Sequence, residues 1–408
     1  MFARFFGYLK YVVIAVLFGF NMKTDAFFMA LSLIGIFMMF TDVFNSLGVP
    51  QLVAAKQKDL DLIEFKKIAS MLLTLTIALT VVITLAAIFI YPLIAKIAIG
   101  FHNTSLMYMK NVYYLLLPYL SLNFIFHYCG GVLRSMRRFT QYFIGEFIFS
   151  FFSFLFTFLG LHYFKSYLVL PSALSIAQVF STLYMIFIAK EFLHFGFFIN
   201  DTIKQIFTQF GYLSLLYGTF YMFLVIDKSF ASLLPAKSIS ALTYGVLVAS
   251  IPVSILRLDH FITTTLSEHQ GSLEKLNFYI KKILLISIPI IIFYLLFSGL
   301  LVRLLFFYGS FSKSDLKLTT KAVMFFSLNI PAMLIWPLIN RVFQIKNKLK
   351  PAFIIAMIGI IINFLLDYLF VIKLQMTIKG IILGTIVTFL IMCIASLMFL
   401  YNNSKNVI

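Results

Sequence analysis

A few ionisable side chains stand inside apolar runs, and they are the residues with chemistry to offer. Lys10 lies within RFFGYLKYVVIAVLFGF, Asp25 follows a polar turn, and Asp42 and Asn45 fall within the next apolar run. Asp227 and Lys228 are adjacent in FLVIDKSF, and Arg257, Asp259 and His260 interrupt another run. Asn363 and Asp367 stand one helical turn apart in IINFLLDYLF. Charge is expensive in hydrocarbon, so such groups face a bundle interior or a watery cavity. Cations there suit an anionic ligand. Carboxylates there suit gating contacts or a small coupling cation.

The surrounding composition makes hydrocarbon the right reference. The 408 residues are 62% hydrophobic and 11% charged, with 51 Phe and a mean hydropathy of +1.03. Apolar runs of about 20 residues recur throughout, which reads as an all-α membrane protein rather than a soluble core or a barrel. The first run has no cleavage-site pattern and precedes further spans, so it is expected to be retained. A net charge of +18 would point to nucleic acid in a soluble chain. Here the basic residues collect between spans, and no nucleic-acid partner is expected. Cys129 and Cys393 lie in apolar segments and suggest neither a disulfide nor a metal site. No phosphate-binding loop, nucleophile elbow or metalloprotease motif occurs, so the chain is not expected to be an enzyme, and no cofactor is implied. His127 and His260 lie within spans, where packing or proton relay are both open.

About twelve spans follow from the runs, at roughly 5–20, 26–54, 68–93, 111–133, 140–161, 168–189, 207–232, 240–266, 283–307, 321–343, 352–372 and 378–401. The second and eighth are long and must tilt or project. The Lys and Arg distribution favours both termini in the cytoplasm, about 18 inside against about 12 outside. Polar landmarks also repeat. Lys66-Lys67 matches Lys281-Lys282, Pro118 matches Pro331, Arg134–Arg138 matches Lys346–Lys350, and Lys23-Thr24 matches Lys237-Ser238. These offsets predict two six-helix lobes, 1–200 and 201–408, related by a parallel pseudo-two-fold repeat, an arrangement used by transporters.

Three stretches carry a family resemblance. The first is Gly7-Tyr8, Phe18-Gly19, Asp25-Ala26-Phe27-Phe28 and Val49-Pro50. The second runs from Ile226-Asp227-Lys228-Ser229-Phe230 through Ser238–Tyr244 to Pro252. The third is Leu305–Phe311, Asp315, Thr319-Thr320, Pro331, Arg341-Val342-Phe343 and Lys350-Pro351. Together they resemble the MurJ (MviN) lipid II flippases, within the superfamily of multidrug, oligosaccharide-lipid and polysaccharide exporters. The resemblance implies two lobes around a cavity and export of a polyprenyl-diphosphate-linked sugar. It also implies an arginine where this chain has Lys10, an arginine pair where Met38-Met39 align, another arginine at Leu247, and two further C-terminal spans.

The candidate residues keep two readings each. Arg4, six residues or about 9 Å of helix before Lys10, is a cavity cation or an interface anchor. Lys10 is a cavity cation or the partner of an intramembrane carboxylate. Arg257 is a third cavity cation or an inner-interface residue. Asp25 caps the second span or gates. Asp42 is a gating or coupling carboxylate. Asp227 and Lys228 latch the lobes or pair structurally. Asp367, with Asn363, packs helices or holds a coupling ion. The expected function is flipping of lipid II or a related cell-envelope precursor across the bacterial inner membrane by alternating access. O-antigen or capsule units, or less favoured drug or cation antiport, are the alternatives. The expected partners are the lipid-linked sugar and membrane lipid around a monomer, with Na+, H+ or the membrane potential driving transport.

Overall fold

The computed structural model of the chain describes residues 2–58, 62–196, 201–256, 262 and 265–405. They are helical, with no strand among them. Helix α1, Phe2–Val13, ends in a π turn over Ile14–Phe18, and the chain reverses at Gly19 with φ of +70°, where a side chain would be strained. Next come α2 (Met22–Lys58), α3 (Ile63–Ile94), α4 (Asn103–Leu115), α5 (Leu117–Ser135), α6 (Phe139–Phe164), α7 (Val169–Ala189) and α8 (Asp201–Ala231). Then follow α9 (Ser238–Ala249), α10 (Ile251–Leu256), α11 (Leu273–Phe306), α12 (Lys313–Ser327), α13 (Ile330–Ile345), α14 (Leu349–Asp367) and α15 (Ile378–Lys405). A π turn over Tyr368–Lys373 extends α14.

Helices fall on each predicted span, the eighth being described continuously only to Leu256. Among the described residues, eight helices are long and apolar enough to cross a membrane, nine if the bent pair α12–α13 is one span. This is a multi-pass membrane protein. The 37 residues of α2 cover about 55 Å at 1.5 Å per residue, well beyond a hydrocarbon core of about 30 Å.

The sequence repeat reappears as repeated local structure. Pro118 and Pro331 are each the second residue after a helix break, α4 to α5 and α12 to α13, the latter bent by 48°. A proline lacks the N–H and crowds the preceding turn, so the break belongs just before it. The basic clusters close matching turns. Arg137 and Asn347 take left-handed φ values of 61° and 53°, and Arg138 N and Lys348 N each donate to a carbonyl five residues back at 2.8 Å.

The chain divides into two compact units, Met1–Ile97 with Phe101–Tyr221, and Ala98–Gly100 with Met222–Ile408. In the first, α2 is the central helix. Its most apolar window is 65% buried, against 22% for α6, whose apolar side chains face outward. Phe6 of α1 packs on Phe147, Phe151 and Phe154 of α6 with ring centroids 5.2 to 5.7 Å apart. In the second unit, Gly245 lets α9 approach α12, since an added Cβ would stand 2.5 Å from Ala322 Cβ. Tyr294 Oη of α11 donates to Val248 O at 2.8 Å.

The N-cap position of α2 is Asn21, with Asp25 four residues further on in the first turn. Asn21 Oδ1 accepts from Lys23 N at 2.9 Å and Thr24 N at 3.2 Å, and Thr24 Oγ1 accepts from Asn21 N at 2.7 Å. That reciprocal cap satisfies the free N–H groups and leaves Asp25 buried in the first turn.

Candidate functional site

Arg4 and Lys10 share α1 but not a face, because six residues advance a helix by about 240°. Arg4 is exposed, whereas Lys10 is only 9% exposed. Lys10 Nζ stands 5.2 Å from the centroid of the Tyr11 ring. No carboxylate among the described residues forms an ion pair with it. Burying a cation without a counter-charge is costly, so an ammonium in this setting suits an incoming anion.

Along α2 a polar track faces α5 and the first part of α8. Asp42 Oδ2 accepts from Tyr221 Oη at 3.0 Å, and Ser46 Oγ lies 2.8 Å from Tyr217 Oη. Asn45 Nδ2 meets His127 Nδ1 at 3.2 Å, and its Oδ1 accepts from Arg134 Nη2 at 2.9 Å. With the amide so oriented, His127 Nδ1 accepts, the arrangement of a neutral ring. Gly35 admits the Tyr221 ring, and Met39 packs on Gly218, where an added Cβ would stand 2.6 Å from its sulfur.

In the second unit, α8, α14 and α15 bring oxygen atoms together. Asp227 Oδ2 accepts from Thr385 Oγ1 at 2.9 Å and its Oδ1 from Asn363 Nδ2 at 3.4 Å. Asp367 is fully buried and its carboxylate interacts electrostatically with that of Asp227. Both Asp367 oxygens and Asn363 Oδ1 are buried with no donor among the described residues, and the Asp367 carboxyl lies within hydrogen-bond reach of Asp227, where a shared proton would join the two. Gly384 opens the space, since a Cβ there would stand 2.5 Å from Asp367 Oδ1. Lys228 is buried too and acts on Asp227 through space. An all-oxygen set of carboxylates, amide and hydroxyl suits a hard cation or a shared proton.

The family model for lipid II flippase MurJ matches residues 14–407. The chain belongs to the MurJ lipid II flippase family. Among MurJ relatives, a protein of Rickettsia prowazekii named probable lipid II flippase MurJ is 27% identical over 383 residues, covering 88% of this chain and 74% of that one. Another so named, from Buchnera aphidicola of Schizaphis graminum, is 26% identical and covers 82% of this chain and 68% of its own length. A lipid II flippase MurJ solved in an inward closed conformation matches with a TM-score of 0.81 at 19% identity, over 98% of this chain and 86% of that one. An inward-facing multidrug resistance MATE transporter gives 0.80 at 14% identity, over 97% and 93%. At these identities the two structures establish the fold alone, with its two lobes.

Placed within the MurJ fold, the candidates sort as follows. Asp227 and Asp367 come together, joined by Asn363. Lys10 and Arg4 do not. Asp42 engages Tyr221, Asp25 is buried at the start of α2, and Arg257, Asp259 and His260 lie outside the described residues. Sequence reasoning missed Thr385 and Arg134. A threonine in an apolar helix usually bonds its own backbone, as Thr385 also does to Ile381 O, so its type carries no signal. Arg134 was read with a loop cluster, and only its long-range partner Asn45 distinguishes it.

Proposed function

We propose that the chain is a lipid II flippase of the cytoplasmic membrane, moving a polyprenyl-diphosphate-linked sugar outward by exposing its head-group site to each side in turn. The family match over residues 14–407 carries the reading. Lys10 supports it, as a buried cation with no acidic partner among the described residues. A diphosphate crossing about 30 Å of hydrocarbon needs a wet, cationic path, while its polyprenyl tail stays in lipid. Lys10 is the point charge offered to a phosphate, with Arg4 and Arg257 as further cations. The surplus of Lys and Arg on one side of the spans supports a cytoplasmic location for both termini. The halves 1–200 and 201–408 act as the two lobes of a working monomer.

The cluster of Asp227, Asn363, Asp367 and Thr385 is proposed as the site of a coupling ion, Na+ or H+, with Lys228 tuning its charge. What supports this is a buried pair of facing carboxyls, with Asn363 Oδ1 beside them reached by no donor. Asp25 and Asp42 are assigned to gating. The test is to load vesicles with labelled lipid II and follow its exposure on the far leaflet. Faster exposure than in protein-free vesicles is expected. Equal rates with demonstrably folded protein would sink the proposal. Met39, packed on Gly218 where the resemblance implies an arginine, favours running a surface-polysaccharide precursor alongside. Movement of that precursor alone would replace lipid II as the cargo.

A further inference from the structure

By sequence, Arg134 belongs with Arg137 and Arg138 on a solvated turn after α5. The structure separates the three. Arg138 forms an exposed ion pair with Glu191 at 2.6 Å, and Arg137 is exposed at the left-handed residue of the turn. Arg134 folds back instead. Its Nε donates to Gly130 O at 3.1 Å and its Nη2 to Asn45 Oδ1 at 2.9 Å, and its guanidinium carbon lies 4.7 Å from the centroid of the Tyr142 ring. Residues of α2, α5 and α6 thus hold one side chain.

The clamp is built into the sequence. Gly130 makes room for the ring, since a Cβ there would stand 2.7 Å from Tyr142 Cε2. Gly131 brings α2 close, with Val49 and Asn45 Oδ1 within 3.4 Å of where its Cβ would be. His127 takes the other end of the Asn45 amide, so Oδ1 is turned to the arginine. An aromatic face behind a guanidinium and a fixed amide beside it reduce the freedom lost when a ligand binds.

A guanidinium has five N–H groups. Two are used here, which leaves three without a partner among the described residues. The carboxylates nearby are engaged elsewhere, Glu146 by Tyr142 Oη at 2.5 Å and Asp42 by Tyr221 Oη at 3.0 Å. Neither forms an ion pair with Arg134, so its planar fork, which matches a carboxylate, is not filled by one. The same open fork matches two oxygens of a phosphate. Successive spans alternate in direction, so α5 ends on the side of the unit where α1 begins.

We infer that Arg134 is a specificity-determining residue of the flippase, taking a phosphate of the lipid-linked diphosphate in a bidentate grip where α5 ends. Lys10 sits beside Tyr11, which stacks on Phe28, whereas Arg134 is held by Asn45, seventeen residues or about 25 Å further along α2, so the two cations meet the head group at different depths. The inference rests on the flippase reading above.

Its test measures binding of a polyprenyl diphosphate to the full chain in lipid nanodiscs, with the matching polyprenol as the phosphate-free control. Arg134→Gln is expected to weaken diphosphate binding roughly tenfold or more, the loss of a charge-assisted pair, and to leave polyprenol binding unchanged. Arg134→Lys should recover part of the affinity. Asn45→Ala, which keeps the charge but frees the fork, should fall between wild type and Arg134→Gln. Arg138→Gln should bind as wild type. Equal diphosphate affinity in wild type and Arg134→Gln overturns the inference alone, as does equal loss of diphosphate and polyprenol. If Arg134→Gln shows no thermal unfolding transition, Arg134→Lys decides, and wild-type affinity in that variant overturns the assignment. A wild type that binds no polyprenyl diphosphate overturns the flippase reading together with the inference.

Discussion

At the scale of single residues, the two polar centres make opposite demands. Lys10 is proposed to take an anion, so Lys10→Met should weaken lipid II binding by roughly thirtyfold, about 2 kcal/mol, the low end for truncating a buried charge partner. Lys10→Arg should bind at least as well as wild type, because the fork adds a second hydrogen bond. Titration of both variants in nanodiscs checks this, and an unaffected Lys10→Met would remove Lys10 from the site. Asp367 and Asn363 present buried oxygens proposed to take a cation or a proton. If Na+ is that ion, raising it to a hundred times its Kd should stabilise the protein by about 2.7 kcal/mol. Thermal unfolding in NaCl and in KCl reads the difference. Asp367→Asn should abolish it, and Gly384→Ala should blunt it by intruding on Asp367 Oδ1. Equal unfolding temperatures in the two salts for the wild type would leave protons as the coupling ion.

At the scale of helices, breaks and caps explain what the sequence could and could not tell. The spans were legible because apolar runs of about 20 residues have few other uses. The repeat was legible because Pro118 and Pro331 leave a backbone mark that propensity alone predicts. The start of α2 was half legible. Asp25 is a good capping type, yet Asn21 with Thr24 is a complete reciprocal cap three residues apart, and the complete cap wins. Asn21→Ala should therefore cost about 1 kcal/mol of stability, with Asp25→Asn leaving the cap intact. The site in the second unit was half legible. Asn363 and Asp367 share a face by spacing, but their meeting with Asp227 and Thr385 depends on how α8, α14 and α15 pack. A further contact of that kind fixes one end of the second unit. Lys237 Nζ pairs with buried Asp315 at 2.8 Å, while Ser312 and Asp315 cap α12. Lys237→Met leaves that carboxylate short of one partner, a loss of about 1–3 kcal/mol. Thermal unfolding of the variant checks it, and an unchanged transition would mean the cap alone satisfies Asp315.

At the scale of the whole molecule, charge movement decides what drives transport. A diphosphate carries two negative charges, and each is worth about 2.3 kcal/mol per 100 mV. Outward movement against a negative interior therefore gains roughly 4–5 kcal/mol, about a thousandfold in the distribution between leaflets. The coupling cation proposed for Asp227 and Asp367 would change that sum. Moved inward as the lipid moves outward, a monovalent ion adds a third charge and raises the gain to about 7 kcal/mol per 100 mV. Carried outward with the lipid, it lowers the gain to about 2.3 kcal/mol. Inward return is expected, because the cation then falls with the potential while the emptied site resets. In vesicles with a defined potassium diffusion potential, the leaflet distribution of labelled lipid II should shift steeply with voltage. Its slope should correspond to three charges in wild type and two in Asp367→Asn, provided that variant still turns over. A slope of one charge in wild type would reverse the direction of the coupling ion. A distribution indifferent to voltage would mean the head group crosses with its charge fully compensated by the protein.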